Sequence, residues 1–162
     1  MSSNTNKFIN LIKHPVKFRM FLFLKLPAAF FSGVRIKKID EERSVVSVPY
    51  KWLTQNPFRS TYFASLAMAA EMSTGVLGMM HVYKRTPPVS MLITNMEATY
   101  FKKATGKNFF GCEAGKQIHD TIEDSIASNE SKSITVKSIG TNKDGEIIAE
   151  FLFTWSFKVK AI

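Results

Sequence analysis

Between Arg59 and Lys84 the chain carries one charged side chain, Glu71, leaving His81 aside. Ala, Leu and Met dominate this stretch, with Ala64, Ala67, Ala69 and Ala70 among them. These are strong helix formers, so the pattern predicts a helix over about residues 60–81. Apolar residues occupy nearly every face of it, so it must be buried on most sides. A single sheet covers only one side of a helix. Either the sheet curls round this one or a second subunit completes the burial. Gly75 and Gly78 would let backbone approach backbone closely.

Glu71 is then the sharpest chemical feature. A carboxylate in an apolar helix must be hydrogen-bonded, protonated or placed at a cavity. Burial raises its pKa and makes it a useful base near neutrality. A structural role, with the carboxylate held by backbone amides or by a partner helix, fits the same residue. The methionines Met68, Met72, Met79 and Met80 read as core.

The rest of the chain alternates strands with turn signals. One helix is expected from Pro15 to about Leu26, followed by strands over 33–39 and 43–49, joined at Asp40-Glu41-Glu42. Asn56-Pro57 punctuates the chain before the long helix, and Pro87-Pro88 follows it. Further strands are expected over 89–101, 108–112, 133–139 and 146–159. Ile118, Ile122 and Ile126 mark an amphipathic helix over 115–128. Asn142-Lys143-Asp144-Gly145 is a strong hairpin signal. Strand runs joined by hairpins imply an antiparallel sheet in an α+β domain.

Length and composition bound the remaining classes. A chain of 162 residues with 45% hydrophobic content fits one globular domain. One cysteine, Cys112, excludes an intramolecular disulfide framework and reads as inert. His14, His81 and His119 form no short metal-ligand spacing, so no metal and no redox cofactor is expected. The net charge of +9 is concentrated at one end: residues 1–38 carry eight basic residues and no acid. Residues 39–162 are nearly balanced, with no basic stripe beside a recognition motif, which argues against nucleic acid. Lys25 and Pro27 interrupt the apolar run of the basic segment too early for a transmembrane span or a signal peptide. The expected location is therefore cytoplasmic. Two readings of the segment remain: a helix packing its apolar face on the domain, or peripheral contact with an anionic membrane through residues 7–31.

Three stretches carry a family resemblance: Asn56-Pro57-Phe58-Arg59-Ser60-Thr61-Tyr62-Phe63-Ala64 through Glu71, Glu97 through Gly106, and Asp144-Gly145-Glu146-Ile147-Ile148-Ala149-Glu150. In order and spacing the chain resembles the hotdog fold, a long central helix wrapped by a curved antiparallel sheet. It is most similar to a domain of unknown function, DUF4442, related to the phenylacetate-pathway type of acyl-CoA thioesterase. The resemblance spans about residues 33–160 and leaves residues 1–32 as a basic, amphipathic helical extension before a hotdog domain over 33–162. It implies a homodimer, or a dimer of dimers, that hydrolyses an acyl-CoA or acyl-carrier thioester at the subunit interface.

By position, the family's loop Asn falls on Asn56, its His-Gly pair on Tyr62-Phe63 and its helical acid on Glu71. Asn56 and Glu71 keep the family's chemistry, as positioner and base. Tyr62-Phe63 departs from it, which also admits a non-catalytic hotdog domain that binds a fatty acyl ligand. The oxyanion donors implied are the helix-terminal amides at Phe63 and Ala64. Asn56 equally suits a turn cap, and Tyr62 a packed helix residue. Lys84, Arg85, Lys102 and Lys103 are candidate contacts to coenzyme A phosphates, or else solvated strand ends. Ser60 and Thr61 read as helix caps, since no His or Asp partner is apparent.

Overall fold

Pro15 and Pro27 cut the basic N-terminal segment into separate helices, because a proline at a helix start lacks only an N–H that would go unused there. The computed structural model describes residues 3–160. It begins with α1 (Ser3–Lys13), α2 (Pro15–Lys25) and α3 (Pro27–Ser32). The single helix expected over 15–26 is α2. The helix ahead of it was missed because Asn4, Thr5, Asn6 and Asn10 are weak helix formers. Its short stripe of Phe8, Ile9 and Ile12 is nevertheless buried, and Phe8 lies 5.2 Å from the Tyr83 ring. All three helices add side chains to the main core.

The strands are β1 (Arg35–Ile39), β2 (Ser44–Val48), β3 (Val89–Tyr100), β4 (Asn108–Cys112), β5 (Lys132–Thr141) and β6 (Ile147–Val159). Among the described residues they form one antiparallel sheet in the order β1-β2-β4-β5-β6-β3. The hairpin between β5 and β6 turns at Gly145, whose φ of +82° lies in the left-handed region that favours glycine. The side of β6 that carries Phe151, Phe153, Trp155 and Phe157 faces the core, and these side chains are buried. Burial of each such aromatic contributes about 1.5–3 kcal/mol.

The long helix α4 (Phe63–Val82) lies against β2, β4, β5 and β6, with α5 (Gly115–Ser128), α1 and α3 also packed on it. Buried hydroxyls fix it to the sheet. Ser73 Oγ donates to Ala70 O at 2.7 Å and meets Ser138 Oγ at 2.8 Å, while Ser44 Oγ donates to Ser73 O. A stripe of α4 stays only part-covered: Ala64, Ala67, Met68 and Glu71, which at i, i+3, i+4 and i+7 share one face. The curled sheet and the added helices therefore bury most of α4, but not this stripe.

The start of α5 shows how tight the packing is. Gly115 N–H donates to Glu42 O at 2.9 Å, and a Cβ on Gly115 would sit 2.0 Å from Glu41 O. Both partners are backbone, so neither can swing aside. Gly115→Ala is expected to cost about 3 kcal/mol or more, at the upper end of overpacking penalties. Urea melts of the variant and wild type check this, and an unchanged midpoint would refute it.

Candidate active site

The loop ahead of α4 is held by its own polar groups. Asn56 Oδ1 accepts from the N–H groups of Phe58 and Ser60 at 3.0 and 3.2 Å, and from Ser60 Oγ at 3.2 Å. Thr61 is clamped to the segment after β3: its N–H and Oγ1 donate to Ala104 O at 2.7 and 3.0 Å. Neither Ser60 nor Thr61 caps the helix, contrary to the expectation from sequence. The N-cap is Tyr62, whose side chain makes no capping hydrogen bond. The first backbone bonds of α4 run from Ser65 and Leu66 N–H to Tyr62 O, at 2.9 and 3.3 Å. The N–H groups of Phe63 and Ala64 thus stand ahead of the ladder, with no acceptor among the described residues.

These elements enclose a groove of about 450 Å³. Asn56, Tyr62, Phe63, Lys102 and Lys103 all line it, so the fold gathers five of the candidate residues. Tyr62 and Phe63 are 47% and 54% exposed, and their rings meet edge to face at 4.8 Å. Lys102 is paired to Glu146 at 2.7 Å, and Lys103 Nζ reaches Phe58 O at 3.4 Å. Phe58, Tyr100 and Phe101 complete an aromatic wall that sequence reasoning missed. Phe58 lies more than 40 residues from Tyr100 and Phe101 in the chain, and the Thr61–Ala104 clamp helps bring the two segments together.

Glu71 is not in this groove. It lies eight residues beyond Phe63, about 12 Å along the helix. Its carboxylate sits over bare Gly75, where a Cβ would be 2.9 Å from Glu71 Oε1 and 3.2 Å from the Trp155 ring. Trp155 is itself fixed by its indole N–H, which donates to Thr74 Oγ1 at 2.9 Å. Among the described residues, no cation pairs with Glu71. Desolvation in this apolar setting raises its pKa to about 7.

Trp155 pairs with Ile93 at the middle of β3, which is an edge of the sheet. Met96, Ala98 and Tyr100 stand opposite buried Phe153, Phe151 and Ala149, so they share the helix-facing side, yet all three are exposed. Glu71 therefore lies on the side of α4 where both the helix and the sheet edge remain uncovered.

Lys84 and Arg85 lie past the other end of α4, about 30 Å from its start. Arg85 is paired there with Glu123 at 2.6 Å, and the His81 and His119 rings meet at 4.9 Å. Burial first, then electrostatic interaction with the neighbouring His119, pushes His81 down to about 4. The fold thus brings together two histidines that are remote in sequence, but no set of three metal-ligating groups exists among the described residues. Cys112 is buried, and its thiol is pushed up to about 11 by desolvation, so little thiolate forms near neutrality.

The family described as "Domain of unknown function (DUF4442)" matches residues 17–157. The chain belongs to the DUF4442 family. Its fold is the hotdog fold, as expected from sequence, with a six-stranded antiparallel sheet around the long helix. Among solved structures it is similar to PA5026 of Pseudomonas aeruginosa, a protein of unknown function described as a probable thioesterase. That match has a TM-score of 0.76 and 16% identity, and covers 90% of this chain and 97% of that one. The Escherichia coli PaaI protein of the phenylacetic acid degradation operon matches with TM-score 0.64 and 10% identity, over 94% of each chain. Thioesterase HI1161 of Haemophilus influenzae matches with TM-score 0.61 and 10% identity, over 87% of each chain. The sequence matches none of the curated proteins. At these identities the likeness is one of fold.

Proposed function

We propose that this DUF4442 protein hydrolyses an acyl-CoA or acyl-carrier thioester as a homodimer, with Glu71 as general base. The observation that carries the reading is Glu71 itself: a carboxylate with no cation partner among the described residues, in an apolar setting, with a pKa near 7. A base is most effective with its pKa close to the working pH. Glu71 takes a proton from water, and the hydroxide adds to the thioester carbonyl. The oxyanion accepts hydrogen bonds from the Phe63 and Ala64 N–H groups at the positive end of α4. The carbon–sulfur bond then breaks, and the leaving thiolate takes the proton. Asn56 positions the acyl carbonyl, and Lys102 and Lys103 attract the carrier's phosphates.

The 12 Å between Glu71 and the groove calls for a second copy. Pairing of two β3 edges covers the part-exposed stripe of α4 and the bare side of Met96, Ala98 and Tyr100. It also supplies the Glu71 of one copy to the groove of the other. An exposed edge strand of 12 residues is a ready template for such pairing.

The test is thiol release from short, aromatic and long acyl-CoA substrates, with oligomeric state measured by analytical ultracentrifugation. Turnover of at least one class by a dimer is expected. The Tyr62–Phe63 ring pair at the mouth of the groove favours a second reading, a domain that binds an acyl ligand without turning it over. No turnover, with an acyl compound co-purifying by mass spectrometry, would establish that reading instead.

A further inference from the structure

Helix α2 is apolar on two faces, and only one of them is covered. Leu22 is buried, and Phe18 and Phe21 pack against the core. On the opposite side Val16, Met20 and Leu24 form an exposed line at a spacing of four, with Leu24 67% exposed. Phe23 and Phe31 continue the face onto α3, their rings 6.2 Å apart and both exposed. It extends further to a single 3₁₀ turn, Trp52–Thr54, tied to α3 by Lys51 Nζ donating to Phe31 O at 2.7 Å. Trp52 on that turn is 80% exposed.

The charge around this face has one sign. Lys17, Lys25 and Lys51 are exposed, and neither residues 14–38 nor residues 43–70 contain an acid; Lys13 stands apart, beside Asp40, Glu41 and Glu42. We propose that α2, α3 and the Trp52 turn form a docking face for an anionic phospholipid bilayer. Exposed aliphatic and aromatic side chains with flanking lysines suit the headgroup boundary, where the apolar groups enter and the ammonium groups meet lipid phosphates. A second copy is a poor occupant, since pairing through this face would bring two strongly cationic segments together. The contact is superficial: α4, the described helix long and apolar enough to cross a bilayer, forms the core of the fold.

The test uses the full chain with sedimented vesicles and does not depend on turnover. Binding is expected to mixed phosphatidylglycerol–phosphatidylcholine vesicles at low salt, weakening as salt rises, and not to phosphatidylcholine alone. Lys17→Glu with Lys25→Glu should lower the partition about tenfold or more, since each lysine near such a surface adds to the attraction for anionic lipid. Leu24→Gln with Trp52→Gln should lower it by about the same factor through lost apolar burial. All four positions are exposed, so melting temperatures should hold. The proposal is overturned if wild type ignores anionic vesicles or binds both kinds equally. It is equally overturned if both double variants bind like wild type, or if the Leu24/Trp52 variant converts a dimer to monomer, which would make the face a contact between copies.

Discussion

Replacing Glu71 with Gln is expected to lower acyl-thioester turnover by about a hundredfold or more, the lower scale for loss of a positioned base. Gln keeps the size and most of the shape of Glu, so Gly75 and the Trp155 ring keep their neighbour. What is lost is the group that accepts a proton. The loss should therefore fall on kcat, with KM little changed, because Gln keeps the shape that Glu presents to the acyl group and removes only the proton acceptor. The pH profile gives an independent readout. A general base acts when deprotonated, so wild-type kcat/KM should rise with pH and level off above an apparent pKa of about 7. The residual rate of the Gln variant should lack that limb. Stopped assays across pH 5–9 in both proteins decide it. A variant with wild-type kcat, or a wild-type profile with no inflection near 7, removes Glu71 from the mechanism.

The same substitution should stabilise the protein at alkaline pH. The carboxyl of Glu71 is held near 7 in the folded chain by desolvation, against an ordinary value of 4.5. Between those values the native state keeps a proton that the unfolded state has released. Stability therefore falls as pH rises through this window, and it is fully retained below it. The difference integrates to about 3 kcal/mol, a large share of the 5–15 kcal/mol typical of a domain. Glu71→Gln removes this dependence. At pH 8 the variant should be more stable than wild type by up to about 3 kcal/mol, and near pH 4.5 the two should converge. Urea melts at both pH values measure this. Equal wild-type stability at pH 5 and pH 8 would show that the carboxylate is compensated. A variant that is both less active and more stable is what a site built on an uncompensated charge predicts.

Much of the fold was legible because it rests on local signals. The alanine-rich stretch announced α4, the isoleucines at 118, 122 and 126 announced α5, and Asn142 to Gly145 announced the last hairpin. The N-terminal segment was less legible. Pro15 and Pro27 act as helix starts there, and the stripe of α1 is too short and too rich in Asn to stand out. The candidate site was legible in part. Asn56, Tyr62, Phe63, Lys102 and Lys103 do share a groove, whereas Lys84 and Arg85 lie at the far end of α4. Spacing along a chain does not say which end of a 20-residue helix a later loop returns to.

The sequence by itself determined that one helix would be apolar all round and that Glu71 would be its lone charge, because residue identity at helical spacing settles both. Only the tertiary structure decided which stripe of that helix stays uncovered and that Glu71 stands apart from the groove. It alone decided that α2 turns a second apolar face outward. Those outcomes depend on contacts between residues remote in the chain, such as Thr61 with Ala104 and Gly75 with Trp155. No local periodicity encodes such contacts, since they are fixed by how the curled sheet and the added helices divide the surface of α4 between them.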